Sequence, residues 1–254
     1  MGDKDKQILL SPESPEAHRR SVHRRLALLA GLVLGVALFF LWLPGGARAA
    51  LVAALRANRV LLGMLFLFAL IAVSLVWSAG QRLDTWIFQL FNIRGRHPQW
   101  LDRAMWLATQ MGSMLAAVLF AGLCLLLHYP RLAVEAILGT LTLWLLVEAI
   151  KVLTDRARPF LDLAKTRVIG WRERGRSFPS GHTAQIFFLM TLLVHRFHLG
   201  VMGIAAVFLV AVLVGFTRLY VGAHYPRDVI GGAVLGSVWG IAATLVDPYW
   251  FGRF

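Results

Sequence analysis

The 254-residue sequence has little acidic charge and a single cysteine. Thirteen Asp and Glu residues stand against 26 Lys and Arg residues, which gives a formal net charge of +13. Cys124 lies inside an apolar run and has no second cysteine to pair with, so an intramolecular disulfide is excluded. Cysteine usage therefore carries no information on the redox compartment.

Charged side chains are scarce in general, since they make up 15% of the residues while 58% are hydrophobic. Several apolar runs approach the length of about 20 residues that a helix needs to cross the hydrocarbon of a bilayer. The basic residues lie at the ends of these runs and in one loop, which favours anionic lipid headgroups over nucleic acid as partners. The composition therefore predicts an integral membrane protein.

Seven apolar segments are candidate membrane-spanning helices. They are Leu26–Leu43, Val60–Trp77, Met105–Leu127, Leu132–Leu153, Ser180–Phe197, Val201–Thr217 and Val229–Val246. The fold class predicted from them is all-α, a polytopic transmembrane helix bundle with a six-helix core and one extra N-terminal hydrophobic helix. Residues 1–25 are predicted to form a polar tail, residues 26–59 the extra helix and its connector, and residues 60–254 the membrane-integral domain.

Two further patterns predict where a segment lies in the membrane and how closely a helix packs. The segment Ala79–Ala104 carries Trp86 and Trp100 among charged residues, which predicts an amphipathic segment lying in the membrane interface. Glycines recur every fourth residue in the last span, at Gly232, Gly236 and Gly240. This repeat predicts close packing against another helix.

The segment from Lys151 to Arg176 contains eight basic residues against three acidic ones. Such a density at a membrane surface has two interpretations: the loop holds an anion, or its charge only marks the side of the membrane. Lys151 and Arg158 are seven residues apart, so on a continuous helix they project from one face and could grip one anion. Glu148 lies one turn before Lys151, and a structural ion pair and an orienting role stay equally open.

The stretch "RSFPSGHT" places Gly181 where the fifth span begins. Free backbone N–H groups at the N-terminus of a helix bind phosphate oxygens, and Ser180 and Gly181 are small enough for an anion to approach. His182 follows, and histidine exchanges a proton near neutral pH. This stretch is therefore a candidate anion site with an acid–base residue beside it.

After the sixth span, the stretch "TRLYVGAHYPRD" adds Arg218, His224 and Asp228. Pro226 suits the first turn of a helix, which brings Asp228 within reach of His224. A carboxylate that holds one imidazole nitrogen leaves the other nitrogen free to attack. Arg227 is expected to be only an interfacial anchor. If the spans alternate, all of these stretches lie on the same side of the membrane.

These stretches resemble the three-part signature of the type 2 phosphatidic acid phosphatase superfamily, which includes bacterial acid phosphatases and vanadium haloperoxidases. The matching positions are Lys151 with Arg158-Pro159, then Pro179-Ser180-Gly181-His182, then Arg218, His224 and Asp228. The resemblance covers roughly Trp86 to Val246, because "LDTWIFQLFN" and "LDRAMWLATQMGS" are also similar to the family's entry segment. Thr217 stands where the family usually has serine, and the hydroxyl is retained.

The resemblance implies a catalytic set of His224, His182 and Asp228. His224 would attack phosphorus to form a phosphohistidine, oriented by Asp228, while His182 protonates the leaving oxygen and water then releases phosphate. The groups implied to neutralise the phosphate oxygens are Lys151, Arg158, Ser180, Gly181 and Arg218. No metal and no other cofactor is implied, and the small number of carboxylates near these residues agrees with that.

The function implied by the resemblance is a lipid phosphate phosphatase that acts on a phosphomonoester or diphosphate, such as polyprenyl diphosphate, phosphatidylglycerophosphate or phosphatidic acid. One alternative is a lipid phosphotransferase, in which a lipid hydroxyl replaces water on the same intermediate. Another is a non-catalytic lipid or anion transporter, although a carrier would need only the cations and not His182, His224 and Asp228. The sequence names neither the lipid nor the oligomeric state.

The resemblance also implies that the active side faces the periplasm or exterior of a bacterial inner membrane. Arg56 and Arg59 then lie in the cytoplasm, which agrees with the positive-inside rule. Seven spans would put the arginine-rich N-terminus outside, against the same rule. Whether Leu26–Leu43 spans the membrane is therefore open.

Overall fold

The computed structural model describes residues 34, 41, 52–53, 56–94 and 97–251, with side chains up to residue 245. The predicted tail and the predicted span Leu26–Leu43 lie outside the described residues, except for Leu34 and Leu41, which are helical. The chain divides into two units between residues 51 and 52, and the helices described below belong to the second. The predicted boundaries at residues 25 and 59 stay predictions.

Within residues 52–251, the described part of the chain is helical and contains no strand. Its helices are α1 (Arg59–Ser74), α2 (Ser78–Asn92), α3 (Gln99–Thr109), α4 (Met114–Leu126), α5 (Pro130–Thr154), the single turn α6 (Pro159–Asp162), α7 (Gly181–Phe197), α8 (Val201–Tyr220) and α9 (Pro226–Phe251). A short 3₁₀ turn, Gln110–Gly112, joins α3 to α4. The predicted all-α class is confirmed.

Three segments are long and apolar enough to cross a membrane: Pro130–Asp162, which is α5 together with the short turn α6, Val201–Tyr220 and Pro226–Leu245. The number rises to five if the bent pairs α1–α2 and α3–α4 each count as one span. Large apolar side chains such as Leu145 and Leu209 are exposed on these helices, as expected of a surface that faces lipid. The chain is therefore an integral membrane protein built on a transmembrane helix bundle.

The predicted span Met105–Leu127 is not one continuous helix. The chain bends by 62° where the 3₁₀ turn meets α4. The break falls at Ser113, which has an extended backbone and whose hydroxyl accepts a hydrogen bond from Ala116 N at 3.1 Å as the N-cap of α4. The predicted fifth span is also short, since α7 has 17 residues and is not among the segments long enough to cross.

Helix α9 packs directly on α7 along the glycines that were predicted to allow close packing. A Cβ atom on Gly236 would collide with the backbone of Ala184, and one on Gly240 would collide with Thr191. Residues without a side chain let the two helices approach this closely. The contact sets the first turn of α9 beside the first turn of α7, where the candidate site lies.

Helix α2 turns by 94° from the direction of α1 and packs against the loops at one end of the bundle. Its buried residues are Asp84, Phe88 and Asn92, at intervals of four positions. Asn92 Nδ2 donates to Arg167 O at 2.9 Å and to Tyr220 O at 2.8 Å. The predicted interfacial segment therefore does form an amphipathic helix, but its buried face is partly polar and binds backbone groups of the protein.

Candidate active site

The residues predicted to form the site come together at one end of the bundle, where the ends of several helices meet. The phosphate-binding candidates are Lys151 in the last turn of α5, Arg158 directly before α6, Ser180 and Gly181 at the start of α7, and Arg218 in the last turn of α8. The catalytic candidates are His182 in the first turn of α7, His224 in the loop before α9, and Asp228 in the first turn of α9.

Lys151 and Arg158 do not share a helix face, because α5 ends before Asp155, whose φ of 48° is left-handed. The condition for a shared face, a continuous helix between the two basic residues, is therefore not met. Arg158 instead enters the site from the segment that follows the helix. Its Nη1 donates to Ala223 O at 3.2 Å and lies 3.4 Å from His224 Nε2. Lys151 and Arg158 nevertheless line the same cavity.

Lys151 forms an ion pair with Glu148, with 2.7 Å between Nζ and Oε1. This pair was one of the two interpretations that the sequence left open. Both side chains also line the cavity at the site. The ion pair therefore limits where the Lys151 ammonium group can lie. A structural ion pair and an orienting role for Glu148 are compatible with each other.

Helix α7 begins at Gly181, as predicted, and Ser180 is its N-cap. Ser180 Oγ accepts hydrogen bonds from Thr183 N at 3.4 Å and from Thr183 Oγ1 at 2.9 Å. Its own N–H donates to Asp228 O at 2.9 Å, which ties the start of α7 to the start of α9. Gly181 and His182 are the first two helical residues, and N–H groups at these positions have no carbonyl acceptor within a helix.

His224 is buried, and its two ring nitrogens face different groups. Nδ1 lies 3.4 Å from Ser177 Oγ and 3.7 Å from Asp228 Oδ2. Nε2 lies 3.4 Å from Arg158 Nη1 and 3.8 Å from Glu173 Oε2. Burial, followed by the positive charge of Arg158, lowers the pKa of His224 well below its ordinary value. The imidazole is therefore neutral near pH 7, and a proton on Nδ1 leaves Nε2 free as a nucleophile.

The Asp228 carboxylate is fully buried and is held on both oxygens. Oδ2 accepts hydrogen bonds from Tyr225 N at 2.8 Å and from Ser177 Oγ. Oδ1 accepts from Arg156 Nη1 at 2.6 Å. Neither Ser177 nor Arg156 was among the predicted site residues, although both lie within two or three positions of residues that were. Their closeness in the sequence to Arg158 and Ser180 was the signal that could have identified them as site residues.

Glu173, which was also not predicted to belong to the site, lies at its centre. Its Oε2 accepts a hydrogen bond from Arg158 Nη1 at 2.9 Å, and its Oε1 accepts one from Arg218 Nη2. Burial by itself would raise the pKa of the Glu173 carboxyl, but Arg218 and the neighbouring basic groups hold that pKa well below its ordinary value. The two arginines implied to bind phosphate therefore already hold an anion. An acidic residue within a strongly basic segment was the signal that could have found it.

Two arginines of the site region are held by the helices that precede α5. Arg218 Nη1 donates to Thr109 Oγ1 at the end of α3, at 2.8 Å. Arg227 Nε donates to Asp84 Oδ2 at 2.7 Å, and Arg227 Nη1 donates to Ser74 O at the end of α1. The prediction that Arg227 is only an interfacial anchor is wrong, because its guanidinium fastens α9 to α1 and α2.

Two cavities open onto His182 and Glu173. The first, which we call the amphiphilic cavity, has a volume of about 360 Å³ and is bounded by α4, α5 and α7. Its walls include the apolar Met114, Leu143, Trp144 and Val147, the basic Lys151 and Arg158, and the backbone of Gly181. The second, which we call the tryptophan cavity, measures about 200 Å³, and its walls include Trp106, Phe160, Trp171 and Arg218.

The arrangement surrounds one anion position with guanidinium groups, an ammonium group, a helix N-terminus and a neutral imidazole. Fixed positive groups of this kind stabilise the charge that develops in phosphoryl transfer. A neutral imidazole whose Nε2 carries no proton supplies a nucleophile for the same group. Among the described residues, no group of three or more His, Cys, Asp or Glu side chains is placed to hold a metal ion.

Comparison with known proteins places these residues in a family. Residues 132–251 match the family model described as the PAP2 superfamily, and this range includes every predicted site residue. The undecaprenyl-diphosphatase of Sulfolobus acidocaldarius is 30% identical over 112 residues, which are 42% of this chain and 51% of that protein. The chain thus spans about half the length, or less, of the curated relatives it matches.

Two solved structures share the fold. The first transmembrane PAP2-type phosphatidylglycerolphosphate phosphatase from Bacillus subtilis superposes with a TM-score of 0.64 at 24% identity, over 75% of this chain and 96% of that one. Aquifex aeolicus LpxE superposes with a TM-score of 0.56 at 30% identity, over 63% of this chain and 93% of that one. The similarity to the Bacillus subtilis phosphatase is one of fold. The similarity to Aquifex aeolicus LpxE is one of fold and also of sequence, over nearly the whole of that chain.

Proposed function

Because the chain belongs to the PAP2 superfamily, we propose that it is an enzyme that hydrolyses a phosphomonoester or diphosphate on a membrane lipid. The observation that carries this proposal is the amphiphilic cavity. Leu143, Val147 and Lys151 line it at intervals of four residues along α5, so its wall changes from apolar to cationic toward the site. An acyl or isoprenoid chain suits the apolar part, and a phosphate group suits the cationic part.

The rim of the amphiphilic cavity supports entry from the bilayer. Trp144 on α5 is 47% exposed and Met114 on α4 is 43% exposed, so both reach the outer surface of the bundle. Irregular polar surface is not tolerated against lipid, but apolar side chains are. A lipid substrate can therefore reach His182 without leaving the membrane.

In the proposed reaction, His224 Nε2 attacks the phosphorus atom of the bound lipid phosphate. An N–P bond forms while the bond between phosphorus and the leaving oxygen breaks, and His182 donates a proton to that oxygen. The lipid leaves as an alcohol, or as a monophosphate if the substrate is a diphosphate. Water then attacks the phosphohistidine, with His182 taking its proton, and orthophosphate is released.

The remaining site residues have binding and orienting roles in this proposal. Lys151, Arg158 and Arg218 neutralise the phosphate oxygens, and the Glu173 carboxylate between the two arginines supports the view that they grip an anion. The N-terminus of α7 at Ser180 and Gly181 contributes N–H donors. Asp228 keeps the proton of His224 on Nδ1. The reaction as proposed uses no metal.

The names of the similar proteins support two substrate classes. An undecaprenyl-diphosphatase acts on a polyprenyl diphosphate, and a phosphatidylglycerolphosphate phosphatase acts on a phosphomonoester. We therefore propose polyprenyl diphosphates and phosphorylated glycerolipids as the substrates to test first.

Phosphate release by the purified protein tests the proposal. The substrates are phosphatidic acid, phosphatidylglycerophosphate, a polyprenyl diphosphate and lipid A in mixed micelles, with glycerol 3-phosphate as the matched control that lacks chains. We expect kcat/KM for at least one lipid to exceed the control by about a hundredfold or more, because burial of even four methylenes contributes ~3 kcal/mol. No release from any of the four lipids, or equal rates with glycerol 3-phosphate, would reject the proposal.

We also propose that the site faces the periplasm or exterior of a bacterial inner membrane. The end of α1 at Ser74 contacts Arg227 beside the site, so the start of α1 at Arg59 lies at the opposite end of the bundle. Arg56 and Arg59 at that end support a cytoplasmic location for it under the positive-inside rule.

A further inference from the structure

A row of buried charged groups connects α2 to the loop that carries His224. Asp84 of α2 accepts a hydrogen bond from Arg156 Nη2, and Arg156 Nη1 donates to Asp228 Oδ1 at 2.6 Å. The side chains of Asp84 and Asp228 are 3% and 0% exposed, and that of Arg156 is 9% exposed. Such contacts are strong because both partners are ionised and water is excluded.

Arg156 is tied to both oxygens of the Asp228 carboxylate. It binds Oδ1 directly through Nη1. Its carbonyl oxygen accepts a hydrogen bond from Ser177 N at 2.8 Å, and Ser177 Oγ donates to Asp228 Oδ2. The position of Arg156 therefore sets the plane of the carboxylate that lies beside His224.

Helix α2 holds the other side of the Arg156 guanidinium. Nη2 donates to Asp84 and also to Gln81 Oε1 at 2.7 Å. The guanidinium carbon lies 4.6 Å from the centre of the Tyr225 ring. Because a guanidinium is a rigid planar fork, contacts on opposite edges leave it one orientation.

We propose that Asp84 and Arg156 are positioning residues for the reaction described above, so this inference rests on the proposed function. Asp84 orients Arg156, Arg156 orients Asp228, and His224 is thereby held with Nε2 toward the phosphate. The hydrogen bonds that hold the Asp84 carboxylate and the Arg156 guanidinium are all made with other residues than the phosphate-binding cations. In the described part of the chain, these cations are Lys151, Arg158 and Arg218. Asp84 lies outside residues 132–251, the range that matches the family model. Helix α2 is thus part of the catalytic machinery and not only of the bundle.

Steady-state kinetics of Asp84→Asn, Arg156→Gln and the double variant test the proposal, with whichever of the four lipids the wild type turns over fastest. We expect kcat to fall by about tenfold or more in each single variant, the size typical of losing a group that orients a functional side chain. KM should change less than about twofold, because the phosphate-binding cations are untouched. Asp84 also accepts from Arg227 Nε, but the other hydrogen bonds of that guanidinium among the described residues go to Ser74 and not to Asp228. The double variant should therefore be no slower than Arg156→Gln, because Asp84 reaches Asp228 through Arg156. Arg156→Lys, which keeps the charge, should recover part of kcat.

Asp102→Asn is the matched control. Asp102 on α3 accepts hydrogen bonds from Arg167 Nη2 at 2.8 Å and Tyr220 Oη at 2.7 Å, and it has no bond to Asp228. Its kcat should stay close to that of the wild type. The inhibition constant of orthophosphate reports whether the anion site is intact, and we expect the same value in Asp84→Asn as in the wild type.

Four outcomes would overturn the positioning role: an unchanged kcat in Asp84→Asn, additive losses in the double variant, an Asp102→Asn variant as slow as Asp84→Asn, or a weaker inhibition by orthophosphate. The last two would assign Asp84 to folding instead of to positioning. Failure of the proposed function looks different, because the wild type would then release no phosphate from any lipid, or His224→Ala would remain active.

Discussion

Asp228 Oδ2 and His224 Nδ1 lie 3.7 Å apart, which is beyond the length of an ordinary hydrogen bond. Ser177 stands between them, because its Oγ donates to Oδ2 and lies 3.4 Å from Nδ1. The four-residue spacing of His224 and Asp228 suggests a direct contact. In the structure, the Ser177 side chain, from the loop before α7, links the two instead.

Replacement of Ser177 by alanine is expected to lower kcat by about tenfold and to leave KM nearly unchanged. The imidazole would lose the group that links it to the carboxylate, so its orientation and its tautomer would be less well defined. Turnover of a lipid substrate by Ser177→Ala measures this. Ser237→Ala, which removes another buried serine nine residues after Asp228, is the control. Wild-type turnover in Ser177→Ala would mean that Asp228 acts on His224 directly.

The Glu173→Gln substitution is expected to strengthen the binding of orthophosphate by roughly tenfold, or ~1.4 kcal/mol. The Glu173 carboxylate occupies Arg158 and Arg218, and phosphate must displace it to use the same guanidinium groups. The measurement is the inhibition constant of orthophosphate. Asp155→Asn is the control, because Asp155 pairs with Arg176 instead. Weaker binding in Glu173→Gln would show that the carboxylate organises the arginines and does not compete for them.

The two histidines are expected to respond differently to the leaving group. His224→Ala removes the covalent route for every substrate, whereas His182→Ala removes only the proton supplied to the leaving oxygen. An alkoxide leaving group needs that proton more than the phosphate that leaves a diphosphate. His182→Ala should therefore keep relatively more activity on a lipid diphosphate than on a lipid monoester, and His224→Ala should be inactive on both.

Turnover of both variants on both kinds of substrate decides this assignment. Equal losses in all four combinations would mean that His182 is not the acid for the leaving group. Turnover by His224→Ala would mean that another group attacks phosphorus.

Hydrolysis is expected to continue in EDTA and to be inhibited by vanadate. The predicted site neutralises phosphate with Lys151, Arg158 and Arg218, so the charge that a metal would otherwise balance is already balanced. Phosphate release with EDTA, with added magnesium, and with a series of vanadate concentrations measures both effects. Activity that disappears in EDTA and returns with magnesium would contradict the prediction.

The loop after α6 is expected to face the outside of the cell. A cysteine introduced at Lys165, in a Cys124→Ser background, should react with a membrane-impermeant thiol reagent applied to intact cells. Cys124 is the single cysteine and lies near the end of α4 that is remote from the cavity residue Met114, so its replacement removes the background thiol without changing a residue of the site. Labelling that requires lysis of the cells would reverse the proposed orientation.

Several parts of the molecule could be predicted from the sequence because short-range patterns carry them. Long apolar runs indicate membrane helices whatever surrounds them, and the four-residue glycine repeat matches the line on which α9 meets α7. The residues of "PSGH" form a helix N-terminus because Ser180 caps its own helix. His224 and Asp228 lie close because one turn of backbone joins them.

Other parts could not be predicted, because they depend on local geometry that hydropathy does not record. The run Met105–Leu127 is mostly apolar and contains no charged residue, yet the cap at Ser113 divides it. Lys151 and Arg158 have helical spacing, yet the left-handed backbone at Asp155 ends the helix between them. In both cases one residue with non-helical dihedral angles outweighs the pattern of its neighbours.

The sequence by itself determined the all-helical membrane class and the list of residues implied to carry phosphoryl transfer, since both are written in local order and spacing. Only the tertiary structure decided which charges meet. Glu173 bridges to Arg218 across 45 positions, and Arg156 joins Asp84 and Asp228 across 72 positions in each direction. An acidic or basic residue looks the same in a sequence whether it faces water or a buried counter-ion. Electrostatic and hydrogen-bond energies depend on the distance between atoms and on burial, and both of these are set only when the helices and loops pack together.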